Sequence, residues 1–367
     1  MIPAHVWADD LTGAAEVADL LAARTGRPVT LALGPEATAT TATGQIVVRD
    51  FDLRHSSDAV ARSVLAQELA RTAAADRVFL KLDSQLHGPV AGCLAAMLDG
   101  GRATLLSAAN PAMGRVTNEG IHRVVGPDGV TATRLADLLA GVPHRVVDGR
   151  SLTTAGDAPE ILAADATDQS DLDALASAAV EHGLDLAGAA ALMAALLGST
   201  DSVPSPAPRA GGRLVAVVGS TEPAAHAQVA AAASHRTVSV VAVAPDDVRN
   251  AVTTANEARR QGRDVVLARG PGPAGLGALA EAAAAVIGGC DPEQTMVVLT
   301  GGHTARLVLD RLGVRSLEAV PDQAGAMVRL RAPSGLTVFT KPGSYGGPDA
   351  VLALLDTRRP APDEEYR

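Results

Sequence analysis

The sequence of 367 residues is poor in cysteine and in aromatic residues, and each shortage argues against a class of protein. Its two cysteines, Cys93 and Cys290, form no CxxC motif and no Cys/His cluster, so we expect neither a disulfide scaffold nor a zinc site. Aromatic residues make up 2% of the chain and interleave with no Lys/Arg-rich stripe, so a nucleic-acid partner is not expected. The chain also lacks a long apolar run and a basic-then-apolar leader, which predicts no membrane span, no signal peptide and a cytoplasmic protein.

Lysine is scarce as well. Of the 31 cationic residues only Lys81 and Lys341 are lysines, and the rest are arginines. A compact ammonium cannot be replaced by a planar guanidinium at every site, so these positions are candidates for functional point charges. The alternative is that two lysines remain by chance. Because the net charge is -10, an anionic ligand would have to be met by such local cations.

The length and the hydrophobic pattern predict two α/β domains, each with a mostly parallel sheet flanked by helices. Short apolar runs alternate with Ala/Leu-rich helical patterns. A stretch rich in proline and glycine separates the two alternations and predicts a linker over residues 199–212. The predicted domains are 1–198 and 213–358, followed by a polar tail over 359–367. The predicted strands are the segments PVTLAL, QIVVRDF, RVFLKLD, ATLLSAAN, RLVAVVGS, VSVVAVA, DVVLARG and TMVVLTG.

In the first domain, acidic residues stand where predicted strands end. In open α/β sheets the ligand crevice lies beyond the carboxyl ends of the strands, so these acids and two nearby cations are expected to converge there. The residues concerned are Asp9, Asp10, Asp50, Asp52, Arg54, Lys81 and Asp83.

The adjacent pair Asp9 and Asp10 precedes a predicted helix with Ala14, Val17 and Leu21 on one face. One aspartate can cap this helix, which leaves the other to face the crevice. Alternatively, both are acids favoured by the helix dipole.

Two further segments of the first domain carry candidate binding residues. In KLDSQLHG, Lys81 and Asp83 share one side of a strand and Ser84 begins the turn; an ordinary surface pair is the alternative. In NPAMGR, Arg115 could hold a carboxylate with two hydrogen bonds or could simply be solvated.

The second domain carries three glycine-containing corners after strands or strand-like segments. Gly301 and Gly302 precede a helix, where backbone N–H groups can approach a phosphate closely. A second corner follows VAVV at Gly219 and Ser220, and a third, TKPGSYGG, contains Lys341. The segment GPGPAG formally matches GxGxxG, but its prolines remove N–H donors, so a dinucleotide site there is not favoured.

Several of these segments occur in the order and spacing of a known family. ADDLTGA, KLDS with a following glycine, PAMGR, VVGS, LTGGHTA and TKPGSYG resemble the four-carbon acid sugar kinases, which are bacterial ATP-dependent kinases of tetronates and related sugar acids. The resemblance covers nearly the whole chain. It implies a sugar-acid-binding domain over 1–198, a nucleotide-binding domain over 213–358, and an active site in the cleft between them.

The motifs and the resemblance together predict roles for individual residues. Asp10 is the candidate catalytic residue, which would orient or deprotonate the acceptor hydroxyl. The expected substrate-binding residues are Asp9, Asp10, Arg54, Lys81, Asp83, Ser84 and Arg115. The expected nucleotide-binding residues are Gly219, Ser220, Gly301, Gly302, His303, Thr304, Lys341, Gly343 and Gly346.

The chain departs from the family pattern near the substrate. The family continues its Asp-Ser with Thr-x-Arg-Gly-Asn, whereas this chain keeps only the glycine, Gly88, and has Gln85, His87 and Pro89 in place of the threonine, the arginine and the asparagine. Leu53 replaces a serine, and His303 stands where an acid is common. These changes leave the predicted phosphoryl transfer in place and leave the identity of the acid open.

The sequence therefore predicts a kinase that uses ATP and Mg²⁺ to phosphorylate a small sugar acid such as erythronate, threonate or 3-oxo-tetronate. No residue is predicted to bind a metal ion directly, and the sequence leaves open whether the protein forms a homo-oligomer. A non-catalytic sensor of sugar acids or nucleotides is the main alternative, because of His87 and His303. A Rossmann-type dehydrogenase is a distant third, based on GPGPAG.

Overall fold

The computed structural model describes residues 2–34, 44–126, 129–148, 159–198, 212–270, 275–321 and 327–356. The predicted linker, apart from Gly212, and the predicted polar tail lie outside the described residues. Among the described helices, none combines the length and the apolar character needed to cross a membrane.

Strands and helices alternate along most of the chain. The strands are β1 (His5–Ala8), β2 (Val29–Leu33), β3 (Ile46–Asp50), β4 (Val78–Lys81), β5 (Thr104–Ser107), β6 (Arg115–Asn118), β7 (Ile121–Gly126), β8 (Gly129–Arg134), β9 (His144–Asp148), β10 (Ile161–Asp165), β11 (Asp185–Gly188), β12 (Arg213–Val218), β13 (Val238–Val243), β14 (Asp264–Arg269), β15 (Thr295–Thr300), β16 (Ser316–Ala319), β17 (Val328–Arg331) and β18 (Thr337–Lys341). The helices are α1 (Leu11–Thr25), α2 (Asp58–Leu69), α3 (Val90–Asp99), α4 (Leu135–Leu138), α5 (Gln169–Glu181), α6 (Ala190–Leu197), α7 (Pro223–Ala233), α8 (Val248–Arg260), α9 (Gly275–Gly288), α10 (Gly302–Arg311) and α11 (Ala353–Asp356).

The chain forms two compact units. The first comprises Met1–Leu20, Leu33–Thr41 and Ile46–Ser202, and the second comprises Leu21–Ala32, Ala42–Gln45 and Val203–Arg367. The end of α1 and most of β2 are thus counted with the second unit.

The first unit contains a parallel sheet in the order β3-β1-β4-β11-β5-β10-β9. A separate antiparallel sheet, β6-β7-β8, follows β5 in sequence. Strand β6 and the first part of β7 alternate more and less buried residues, and β8 is mostly exposed, so none of the three forms the continuous apolar run on which the strand prediction relied.

The second unit contains a mixed sheet. Strands β13, β14, β12, β15 and β18 are parallel in that order, and β17, β16 and β2 continue the sheet with antiparallel pairings. The predicted α/β class with mostly parallel sheets is confirmed.

All eight predicted strand segments contain a strand, namely β2 to β5 and β12 to β15. Most of these segments are continuous apolar runs in the sequence, because strands in parallel sheets are buried on both faces. In the first unit the core joins Leu80 and Leu106 to Leu65 and Met97 of the helices. In the second unit it includes Leu214, Val266, Val298 and Phe339.

Candidate functional site

In the first unit, three neighbouring parallel strands bring charged residues to one sheet edge. Ala8, the last residue of β1, lies opposite Asp50 of β3 and Lys81 of β4. The chain that leaves β1 therefore passes between the carboxyl ends of its two neighbours. We call Asp9, Asp10, Arg54, Lys81 and Asp83 the charged cluster.

Asp10 caps helix α1. Its Oδ1 accepts a hydrogen bond from the Gly13 amide at 2.8 Å, and its Oδ2 accepts from the Thr12 hydroxyl at 2.7 Å. Arg54 Nη2 also donates to Oδ1, at 3.1 Å. Three donors therefore engage the carboxylate that the sequence predicted as catalytic.

Asp9 is the main partner of Arg54. Two parallel hydrogen bonds join them, from Nε to Oδ2 at 2.6 Å and from Nη2 to Oδ1 at 2.9 Å. Asp9 is 1% exposed, and its burial raises its pKa above the ordinary value in opposition to the charge of Arg54. The backbone amides of Leu53 and Arg54 also donate to the Asp9 carbonyl oxygen, which fixes the two segments to each other.

Lys81 lies under the first turns of α1. Its ammonium is 3.4 Å from Glu16 Oε2 and donates to the Leu82 carbonyl oxygen at 3.1 Å. A Cβ at Gly13 would lie 3.0 Å from Lys81 Nζ, so a glycine is needed for the helix to approach the lysine. Burial lowers the pKa of Lys81, but the charge of Glu16 and the aspartates outweighs burial and raises the pKa above its usual value. Lys81 thus stays charged and balances the neighbouring acids.

Asp83 links the charged cluster to the turn after β4. Its Oδ2 lies 2.9 Å from His87 Nδ1 and 3.8 Å from Arg54 Nη1. Burial alone would raise the pKa of Asp83, but the hydrogen bond from His87 and the charge of Arg54 hold it well below the usual range.

The small antiparallel sheet holds the same turn from another side. Arg115, the first residue of β6, donates through Nη1 to the Ser84 hydroxyl. His122 of β7 bridges the Ser84 carbonyl oxygen at 2.8 Å and the Thr117 hydroxyl at 2.9 Å. A carbonyl can only accept, so His122 carries its proton on Nε2. Burial lowers the pKa of His122 and favours this neutral form.

The structure thus brings together the seven substrate-binding residues that the sequence predicted. Glu16, Thr12 and His122 also belong to this site and were not predicted. Glu16 and Thr12 come shortly after the aspartate pair in the sequence. Only the structure shows that Glu16 pairs with Lys81 and that Thr12 donates to Asp10. Ser107, at the end of β5, is a further candidate: it is 1% exposed and its hydroxyl has no hydrogen-bond partner within the described ranges.

In the second unit, three corners meet. Gly301 precedes α10 with φ +93°, and a Cβ there would lie 3.5 Å from Ser220 Cβ and 3.6 Å from Thr304 Oγ1. A Cβ on Gly343 would overlap the Ser220 hydroxyl, and one on Gly219 would overlap the Thr304 hydroxyl. Side-chain hydroxyls therefore fill the space that these glycines leave. We call Gly219, Ser220, Gly301, Thr304 and Gly343 the glycine corner.

A buried hydroxyl lies directly before this corner. Thr300, the last residue of β15, is 0% exposed, and its Oγ1 has no hydrogen-bond partner in the described part of the chain. A buried hydroxyl without a partner is costly, and a ligand oxygen would satisfy it. Thr300 was not among the predicted nucleotide-binding residues, although it ends the strand that leads into Gly301.

Lys341 supports the loop that follows β18. Its ammonium donates to the carbonyl oxygens of Pro342 at 3.1 Å and Tyr345 at 2.8 Å. Burial lowers its pKa to about 8. In the same loop the carbonyl oxygens of Tyr345 and Gly346 accept from Gln228 Nε2 of α7. Gly346 has φ +82°, which a glycine adopts without strain.

The remaining predicted nucleotide residues lie at the start of α10. Gly302 is its first residue and His303 its second, and both are partly exposed. Their backbone amides belong to the first turn of the helix, where N–H groups have no partner inside the helix. The nine predicted nucleotide residues therefore lie at the ends of β12, β15 and β18.

A cavity of about 410 Å³ lies beside Ser220 in the second unit. Its walls combine apolar side chains, Val218, Val229 and Ala268, with His226 and Arg269. Strands β12 and β14 and helix α7 contribute these residues, so the cavity lies at the carboxyl ends of the parallel strands.

Metal-ligating side chains do not gather at either place. Over the residues that the structure describes, no three His, Cys, Asp or Glu side chains are grouped so that they could hold a metal ion.

Two protein families match the chain. One is described as a sugar-binding N-terminal domain and matches residues 4–141. The other is described as a nucleotide-binding C-terminal domain and matches residues 215–351. No curated protein matches the chain.

Solved structures share the fold. A Haemophilus influenzae protein of the DUF1537 family is 18% identical with a TM-score of 0.68, and the match covers 97% of this chain and 100% of that one. A Salmonella typhimurium protein provisionally named a tRNA synthase is 20% identical with a TM-score of 0.67, over 95% of this chain and 97% of that one. At this identity the similarity establishes the fold alone.

Proposed function

We propose that this protein is an ATP-dependent kinase, because the chain belongs to the family that joins a sugar-binding N-terminal domain to a nucleotide-binding C-terminal domain. This is the domain architecture of the four-carbon acid sugar kinases. The proposed reaction transfers the γ-phosphoryl group of ATP to a hydroxyl of a small, tetronate-like sugar acid. The family membership is the one that the sequence motifs implied.

The strongest support is the fit of the glycine corner to a phosphate chain. The glycines let the hydroxyls of Ser220 and Thr304 pack against the backbone of the corner, and the start of α10 offers amide donors with the favourable end of the helix dipole. The hydroxyls of Ser220 and Thr304 surround the corner, and the Thr300 hydroxyl lacks a partner among the described residues. We assign the triphosphate to this corner.

The neighbouring cavity suits a nucleoside. It has apolar walls for a base and polar side chains, including Arg269, that can fix its orientation. Since Ser220 borders both the cavity and the glycine corner, one ligand could occupy the two together.

We assign the sugar acid to the charged cluster. Hydroxyl groups of a polyol can donate to the aspartates, and Arg115, which donates to the neutral Ser84 hydroxyl, is the guanidinium we assign to the substrate carboxylate. Asp9 and Asp10 hold Arg54 in place, and Lys81 neutralises part of their charge. The contacts of Asp10 favour a positioning role, and its catalytic role stays a prediction.

Mg²⁺ would enter with ATP. It neutralises charge on the phosphates and takes most of its ligands from them and from water, with one or two protein carboxylates at most. A site of this kind needs no dedicated cluster of metal ligands.

The test is a screen of the purified protein with MgATP and four- to six-carbon sugar acids, read as ADP formed and as phosphorylated acid by mass spectrometry. We expect one acid, or a small group, to stimulate ADP formation with matching phosphoester. The Arg115→Gln variant should raise KM for that acid and leave the Kd for ATP unchanged. The Gly343→Ala variant should weaken ATP binding.

The same screen separates the kinase from a sensor. A sensor would bind an acid and a nucleotide, measured by calorimetry, without forming a phosphoester. Binding of both ligands with no phosphoester from any acid would contradict the kinase proposal.

A further inference from the structure

The turn over residues 83–88 holds a histidine against a carboxylate. The Leu86 amide donates to the Asp83 carbonyl oxygen at 2.9 Å, and Leu86 has φ +62°, which is unusual for a residue with a branched side chain. Its side chain is nonetheless buried, so packing in the core maintains this conformation. Gly88 lets the turn approach Arg54, since a Cβ there would lie 3.0 Å from Arg54 Cδ.

The result is a fixed position for His87. Its Nδ1 lies 2.9 Å from Asp83 Oδ2, and its backbone amide points to the same oxygen at 3.4 Å. The His87 side chain is 68% exposed, whereas that of Asp83 is 14% exposed. A substrate can therefore reach the ring while the carboxylate behind it stays shielded.

This contact decides which ring nitrogen carries the proton. Asp83 is ionised, because its pKa is held well below the usual range, so it can only accept a hydrogen bond. His87 must therefore carry its proton on Nδ1. The neutral ring then presents an unprotonated Nε2, which is the arrangement of a general base with an orienting carboxylate.

The carboxylates of the cluster are less suited to this task. Asp9 is buried in a two-bond pair with Arg54, and Asp10 accepts three hydrogen bonds. Asp83 has too low a pKa to take a proton efficiently near neutral pH. His87, by contrast, is exposed and contacts Asp83, whose carboxylate also faces Arg54 and interacts with the charge of Lys81.

We propose that His87, oriented by Asp83, is the general base that accepts the proton of the acceptor hydroxyl. The inference rests on the proposed kinase function. As the hydroxyl oxygen forms its bond to the γ-phosphorus, its proton passes to His87 Nε2. The bond between the γ-phosphorus and the β,γ-bridging oxygen breaks, and its electron pair leaves with ADP. The imidazolium then releases its proton to water, which restores the enzyme.

The kinetic test uses His87→Asn and His87→Arg. Asparagine can still donate to Asp83 and cannot serve as a base, and arginine supplies a charge that is not deprotonated in proteins. Both should lower kcat by about 100-fold or more with little change in the Kd for ATP. The acid limb of the kcat profile, which an imidazole base produces between about pH 5 and 8, should disappear. His182→Asn, at an exposed position after α5, is the matched control.

A second measurement does not depend on activity. Nitrogen NMR of ¹⁵N-histidine-labelled protein without ATP should show His87 protonated on Nδ1, and Asp83→Asn should shift the ring toward the Nε2-protonated form. A wild-type ring protonated on Nε2, or full activity of His87→Arg with an unchanged pH profile, would overturn the base assignment while leaving the kinase intact. Absence of turnover in the wild type with every acid would overturn both.

Discussion

Replacement of Gly301 by alanine tests the phosphate assignment most directly. Gly301 has φ +93° and ψ 131°, a conformation that a side chain disfavours by about 1–3 kcal/mol. Space is not the obstacle in the free protein, since the new Cβ would lie 3.5 Å from Ser220 Cβ and 3.6 Å from Thr304 Oγ1, ordinary contact distances. It would, however, stand between the two side chains where we place the triphosphate.

The cost should therefore appear in nucleotide binding. If alanine shifts the corner, binding must restore the bound shape, and about 1–3 kcal/mol corresponds to a Kd for ATP that is roughly 5- to 150-fold higher. Isothermal titration calorimetry with MgATP measures this change, and urea unfolding measures the accompanying loss of stability.

Gly313→Ala is the matched control at the other end of α10. Gly313 also has a positive φ, +70°, and nothing lies within 4 Å of its added Cβ. It should lose about 1–2 kcal/mol of stability without any change in ATP affinity. An unchanged Kd for ATP in Gly301→Ala would refute the placement of the phosphates at the glycine corner.

Three further predictions follow from the contacts and charges of the two units. Asp9→Asn should cost about 2–3 kcal/mol of unfolding free energy, because it removes the charge that is paired with the partly buried Arg54. Asp10→Asn keeps a competent helix cap and should lower kcat less than 10-fold. A 100-fold kcat loss in Asp10→Asn with a stable fold would return the base role to Asp10. The pKa of Lys341 is about 8, and nearby phosphates stabilise its charged form, so ATP binding at pH 8 should be accompanied by the uptake of about half a proton. Calorimetry in buffers of different ionisation enthalpy measures this proton uptake, and equal uptake by the Lys341→Met variant would contradict the prediction. The folded-state pKa of His122 is lowered, so as the pH falls the ring is protonated in the unfolded protein before it is protonated in the folded protein. The contribution of His122 to the free energy of unfolding is therefore fully present above about pH 6.5 and is lost as the pH decreases. Urea unfolding at pH 7.5 and 5.5 should show a smaller loss for His122→Gln than for the wild type, and equal losses would exclude this contribution.

The apolar pattern was sufficient for the strands of the parallel sheets. Segments such as RVFLKLD and TMVVLTG show burial on both faces as a continuous apolar run, which a single sequence displays directly. Strands β6 to β8 carry no such run, since many of their residues are exposed, and they are recognised only by their pairing.

Local chemistry also indicated where the sites are. An acid pair before a helix and Gly301 before α10 mark positions whose requirements are local: a side chain that accepts a hydrogen bond from a backbone N–H of the first helical turn, and a positive φ. The roles within the pair were not accessible in this way. Whether Asp9 or Asp10 caps the helix depends on where β1 ends, and a shift of one residue reverses the directions of both side chains.

The sequence by itself determined the α/β class, the two sets of motifs and many of the residues gathered in each. Only the tertiary structure paired Asp9 with Arg54, placed the Ser220 hydroxyl in the space left by Gly343, and set His87 against Asp83. The physical reason is the separation along the chain of the residues that interact. Burial patterns, caps and glycine conformations are properties of neighbours in the chain, whereas ion pairs and hydrogen-bond partners depend on which distant segments the sheet register brings within about 3 Å of each other.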